Sequence, residues 1–144
     1  MSLDRGFKFL EHITDAEIEA YGKNLEDAFE NAARATEDTM VDVDTIQPVT
    51  ERNVELKGKD LESLLYSWLE ELISLQDTES LLFSKFICKI TKIESEFKLV
   101  ASMFGEKFDP RRHEQKTAIK APTYHRMKIV QETNKVTLRF VLDL

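Results

Sequence analysis

The chain has 144 residues, 42% of them hydrophobic and 33% charged, enough for one domain with a buried core spanning residues 1–144. A net charge of −7 and a pI near 5.1 argue against a broad nucleic-acid face, which needs clustered Lys and Arg. The single cysteine, Cys88, excludes an internal disulfide and a multi-cysteine metal site, and no apolar run approaches the ~20 residues of a membrane span. The charged N-terminus does not read as a signal peptide, so the expectation is an intracellular, cytoplasmic chain.

Phe7-Lys8-Phe9-Leu10-Glu11 is a short strand leading into His12. Ala16, Ile18 and Ala20 then alternate with Glu17, Glu19 and Tyr21, the period-two pattern of a half-buried strand that stops at Gly22. Asn24 is a helix N-cap, and Leu25, Ala28, Phe29, Ala32 and Thr36 recur at helical spacing to about Met40. The small alanines predict close packing on a sheet. Residues 41–46 read as a loop, and Pro48 forbids a central strand there. Val54 and Leu56 alternate with polar neighbours up to Gly58, and a second helix follows Asp60. Its apolar stripe, Leu61, Leu64, Leu65, Trp68, Leu69, Leu72 and Ile73, is wide enough to sit between two layers.

From Leu81 the pattern turns to strands. Runs 81–93 and 97–108 form a hairpin across Glu94-Ser95-Glu96, and a polar loop from Arg111 to Lys116 follows. A long extended run covers 117–130, interrupted by Pro122, and pairs with Val136 to Leu142 across Thr133-Asn134. Cys88, between Ile87 and Lys89 in one of these strands, reads as a small buried hydrophobe. The order predicts an α+β fold of mainly antiparallel sheets with two helices, and hints at a duplicated strand–helix–strand–strand module.

The chain has no Gly-rich phosphate loop, nucleophile elbow or zincin helix. What remains is oxygen-rich. Asp15 follows His12 by three residues, and Asp143 lies beside the terminal carboxylate of Leu144. Such a set suits a hard cation such as Ca²⁺ or Mg²⁺. The plainer readings stay open: Asp15 after Thr14 caps a turn, and Asp143 is a solvated strand end. Lys120, Thr123, Tyr124 and His125 share one extended run, with His125 and Lys120 read as surface groups. His113, beside Arg111 and Arg112, is expected to face water or to form a small anion-binding corner.

One ordered set covers nearly the whole chain: His12-Ile13-Thr14-Asp15, Glu19-Ala20-Tyr21-Gly22, 61–69 (LESLLYSWL), Gly105-Glu106, His113, 119–125 (IKAPTYH) and Asp143-Leu144. In this order and combination it resembles the archease family. Two departures are visible: Ile13-Thr14 where the family usually has Thr-Ala, and Pro122 where it usually has an aliphatic residue. Pro122 removes a strand N–H.

The resemblance implies a duplicated strand–helix–strand–strand fold and an accessory role, not an enzyme. The partner would be the GTP-dependent tRNA-splicing RNA ligase, whose guanylylation and multiple turnover archeases promote in tRNA splicing and RNA repair. It implies a divalent metal ion, Ca²⁺ first with Mg²⁺ or Mn²⁺ as alternatives, on Asp15, Asp143 and the Leu144 carboxylate. His12 would be an outer-shell neighbour, and Lys120 matches a functionally important lysine of the family. An acidic protein would thus serve RNA chemistry through a partner that holds the RNA. Two rival classes remain, a metal-dependent phosphoester hydrolase and a chaperone-like scaffold.

Overall fold

A computed structural model describes residues 5–10 and 15–144. The elements are β1 (Phe7–Leu10), β2 (Asp15–Gly22), α1 (Leu25–Met40), β3 (Thr50–Gly58), α2 (Leu61–Glu79), β4 (Leu81–Ile93), β5 (Glu96–Lys107), β6 (Ala121–Glu132) and β7 (Lys135–Asp143). The expected α+β class and element order are those observed. Two local expectations differ. The loop after α1 holds a short 3₁₀ turn, Val43–Thr45, because Val41, Val43 and Ile46 bury together against Leu82. The run expected from 117 becomes strand only at Ala121, since Lys116 gives its backbone N–H to Met40 at the end of α1.

All pairings between strands are antiparallel, and they divide into two sheets ordered β1-β2-β7-β6 and β3-β5-β4. The duplication is real, but it is nested. Strands β2, β6 and β7 with α1 form one strand–helix–strand–strand module, and β3, α2, β4 and β5 form the other. The second is inserted between α1 and β6 of the first. Each module has the same order, first strand beside last strand beside second.

The strand-to-helix junction repeats residue by residue. Gly22-Lys23-Asn24-Leu25-Glu26 opens α1, and Gly58-Lys59-Asp60-Leu61-Glu62 opens α2. Asn24 accepts the Asp27 N–H at 2.8 Å, and Asp60 accepts that of Ser63 at 2.7 Å, so both caps satisfy a helix-start donor. Both glycines are required by close approach. A Cβ on Gly22 would lie 2.5 Å from Ala28 N, and one on Gly58 would lie 2.8 Å from Leu64 N.

Both helices lie in the core, α1 against β2, β7 and β4, and α2 against β6 and all of β3-β5-β4. Ala28, Ala32 and Ala35 of α1 are fully buried, as close packing of a small-residue face demands. Trp68 of α2 donates its Nε1–H to the Phe29 carbonyl of α1 at 2.9 Å. Cys88 is buried among Phe86, Leu99 and Ala101 in this core, and burial, followed by Glu30 and Glu26, pushes its thiol far up. It is an inert hydrophobe.

Each helix also closes the outer edge of the other module's sheet. Strand β4 is an edge, and α1 runs alongside it with carboxylates aimed at its N–H groups. Glu26 accepts from Ile90 at 3.3 Å, Glu30 from Cys88 at 2.8 Å and Glu37 from Phe83 at 3.2 Å. Strand β6 is the matching edge beside α2, where Tyr66 stacks on Tyr124 at 4.4 Å instead. Covering exposed edges in this way removes the donors that would otherwise template intermolecular pairing.

Candidate functional site

Strand β2 begins at Asp15 and β7 ends at Asp143, and the two are register partners in the antiparallel ladder. Opposite residues on paired strands point to the same sheet face with Cβ atoms about 4.5–5.5 Å apart. Residues 15 and 143, separated by nearly the whole sequence, therefore put two carboxylates side by side on the outer face. Even positions of both strands, such as Ile18, Ala20, Leu138 and Phe140, enter the core and fix this parity. Leu144 follows directly, its side chain packed on the core, which anchors the chain-terminal carboxylate at the same end of the sheet.

On the far side of Asp143 lies Ala121, and the Lys120 N–H donates to the Asp143 carbonyl at 2.8 Å. Asp15, Asp143, Leu144 and the Lys120 backbone thus meet at one end of sheet β1-β2-β7-β6. The Lys120 side chain is exposed and lines a groove of about 490 Å³ with Glu70, Glu71 and Asp77 of α2. His12 lies outside the described residues. Among the described residues no group of three His, Cys, Asp or Glu side chains converges. The donors at the sheet end are all oxygen, which fits a hard divalent cation. Two side-chain carboxylates with the terminal one make an open site, as such a cation takes about 6–8 oxygens and water would complete it.

The same face carries an ion-pair ladder behind the carboxylates. Glu17 is buried and pairs with Arg126 at 3.2 Å, while Glu19 pairs with Arg139 at 2.8 Å and Lys8 at 3.6 Å. The Arg139 hydrogen bond is the largest influence on the Glu19 carboxyl and, with Lys8, holds it below its ordinary value. Arg126 reaches Glu17 because β6 shifts register between Thr123 and Lys128, with Arg126 itself at φ +62°. This bulge also interrupts the extended run expected to carry Thr123, Tyr124 and His125. His125 is exposed, as expected, and its N–H donates to Thr123 Oγ1 at 3.1 Å.

His113 corrects an expectation. It does not face water or shape an anion corner: it is 1% exposed. Its Nδ1 accepts the Asp109 N–H at 2.9 Å, which leaves Nε2 to donate to Glu106 at 2.8 Å. Glu106 also takes Arg112 in a two-pronged pair and the Gln47 N–H at 2.8 Å. Burial pushes the Glu106 carboxyl up, but the hydrogen bonds from Arg112, Gln47 and His113 outweigh it and hold it at about 2. This cluster locks the 109–116 loop onto β5. Polar sequence around His113 hid the burial, since the apolar Phe108 ring that covers it lies five residues back.

The fold defines the class: an α+β protein of two nested strand–helix–strand–strand modules, with a carboxylate pair where the first and last strands of the outer module meet. The chain belongs to the archease family. The model of the Archease protein family (MTH1598/TM1083) matches residues 7–144. The chain is 47% identical over 138 residues to protein archease of Sulfurisphaera tokodaii, covering 96% of this chain and 98% of that one. It is 50% identical over 119 residues to protein archease of Pyrococcus abyssi, covering 83% and 84%. The solution structure of Methanobacterium thermoautotrophicum protein 1598 superimposes with a TM-score of 0.85 at 40% identity, covering 98% and 100% of the two chains. A crystal structure of an archease from Thermotoga maritima, described as a possible chaperone, shares the fold with a TM-score of 0.60 at 22% identity, covering 95% and 96%.

Proposed function

We propose that this archease is an accessory protein that activates the tRNA-splicing RNA ligase, promoting its guanylylation and turnover in RNA joining, and that it does no chemistry of its own. The reading rests on family membership and on one observation, the pairing of Asp15 with Asp143 at the end of the β2–β7 ladder. Those carboxylates and that of Leu144 would hold a divalent cation, with Ca²⁺ the first candidate and Mg²⁺ or Mn²⁺ next. When bound, the ion would neutralise the clustered negative charge and tie the start of β2 to the end of β7. Lys120, exposed beside them, is then placed to meet a phosphate or a carboxylate of the partner. His12 would stand in the outer shell.

The test is calorimetric titration of Ca²⁺, Mg²⁺ and Mn²⁺ into the wild type and D15A, alongside ligase guanylylation with wild type, D143A and K120A. D15A is expected to weaken cation binding at least tenfold, and D143A and K120A to lose most of the stimulation. D15A binding as tightly as the wild type removes the ligand set, and full stimulation by D143A makes the chain end irrelevant. Phosphoester turnover by the isolated protein would favour the hydrolase reading. Stimulation that survives both chelator and the carboxylate variants would favour a metal-free scaffold.

A further inference from the structure

The two modules differ by one strand. Outside β2 the chain lays β1, giving β1-β2-β7-β6, whereas β3 heads its sheet with no strand on its outer side among the described residues. The repeated junction aligns the modules residue by residue. Gly22 corresponds to Gly58, and hence Ile18 to Val54, Glu19 to Glu55, Ala20 to Leu56 and Asn31 to Ser67. Burial records the missing strand: Ile18 and Ala20 are 0% exposed beside β1, while Val54 and Leu56 are only partly buried.

Strand β1 shows what the vacant edge would accept. Phe7 and Phe9 stand opposite Ala20 and Ile18, and Lys8 stands opposite Glu19 and pairs with it at 3.6 Å. Tyr21 donates its N–H to the Gly6 carbonyl at 2.7 Å. Backbone groups alternate sides along a strand, so Tyr21, Glu19 and Glu17 turn theirs to β1. By the same alignment Lys57, Glu55 and Asn53 turn theirs to the open edge of β3. Gly6 lies against the Asn31 side chain, and its counterpart Ser67 lines the groove of about 490 Å³ with Leu56, Glu70, Glu71, Asp77 and Lys120. The groove is therefore the place in the inner module that Gly6 and Phe7 fill in the outer one. Three carboxylates against one lysine, with Glu55 on the adjoining edge, suit a basic occupant. Such an edge binds an extended peptide through main-chain hydrogen bonds, and alternate side chains set the specificity.

We propose that the open edge of β3 and the adjoining groove dock an extended segment of a partner protein, laid antiparallel to β3 as β1 is to β2. Apolar side chains of that segment lie over Val54 and Leu56, and a cation between them faces Glu55. The probe is a synthetic peptide, acetyl-Arg-Gly-Phe-Lys-Phe-Leu-amide, titrated to millimolar concentration into the isotope-labelled full chain and followed by nuclear magnetic resonance. The amide signals of Asn53, Glu55 and Lys57 are expected to shift, and to exchange with deuterium at least tenfold more slowly at saturation. E55P replaces an outward N–H, a change an edge strand tolerates, and should weaken the peptide at least tenfold. E55K leaves the backbone intact and should reverse the preference, taking the peptide with glutamate for lysine over the original. Far-UV circular dichroism confirms that both variants remain folded. No shift at millimolar peptide, shifts confined to residues away from β3 and the groove, or unchanged binding by E55P each overturn the proposal. An E55K chain that still prefers the original peptide overturns the place given to the cation. Sedimentation of the chain without peptide completes the test: a dimer that E55P abolishes assigns the edge to β1 of a second copy and overturns the partner reading.

Discussion

Two buried glutamates respond to pH in opposite directions, for stated physical reasons. Glu106 sits at about 2 when folded against an ordinary 4.5, so its ion pairs stabilise the fold above about pH 4.5. That contribution is lost as pH falls from 4.5 towards 2. E106Q is expected to cost roughly 1–3 kcal/mol at pH 7 and to show a shallower acid limb in urea denaturation. Glu37 is fully buried, its Oε1 accepts from Phe83 N, and its Oε2 has no hydrogen-bond partner among the described residues. Burial holds its carboxyl well above 4.5. The fold is therefore favoured below 4.5 and loses stability as pH rises from there towards the raised value. E37Q, which cannot ionise, should flatten that alkaline decline, measured as denaturation midpoints from pH 5 to 9. A slope unchanged in E37Q would mean that the carboxyl ionises freely in the fold.

Helix α1 is as much an edge guard as a core element. Removing the Glu30 carboxylate strips the acceptor from Cys88 N on the outer edge of β4. E30A should cost about 1–2 kcal/mol and raise hydrogen exchange at the Cys88 amide above that of its neighbours, whereas a purely solvated glutamate would change neither. The junction glycines give a paired prediction. G22A and G58A each drive a Cβ into the first turn of a helix, so both should lower the melting temperature by a similar amount. The strands and helices themselves were legible because their periodicity is local: Ile18 and Ala20 against Glu17 and Glu19, or Leu64, Leu65, Trp68 and Leu72 on one stripe. The edge role of Glu26, Glu30 and Glu37 was not, since on a helical wheel they read as solvated charge. Only a strand some sixty residues away makes them acceptors. His113 was misread for a different reason, since the loop folds it back onto Phe108 and Glu106 behind polar neighbours, and Arg126 met Glu17 only through a bulge that alternation cannot show.

At the scale of the molecule, nesting explains how the start of β2 meets the end of β7. An inserted module must leave and return at neighbouring points, so β2 and β7 of the outer module pair along their length and bring Asp15 to Asp143. Sequence reading hinted at duplication and paired these residues on resemblance, but the insertion rests on contacts no local pattern encodes. The modules share one core, and Trp68 is its joint: it belongs to the inner module and bonds Phe29 of the outer one. The inner module, 50–107, would expose the α2 stripe and β4 edge if it opened alone. Unfolding is therefore expected to be a single transition, with Trp68 fluorescence and far-UV circular dichroism giving coincident curves and the calorimetric enthalpy matching the van't Hoff value. W68F removes the donor to Phe29 O while keeping most of the buried area. It should cost roughly 1–3 kcal/mol and leave the transition cooperative. A fluorescence midpoint well below that of circular dichroism would show that the modules part first, and that the joint is weaker than the cores on either side.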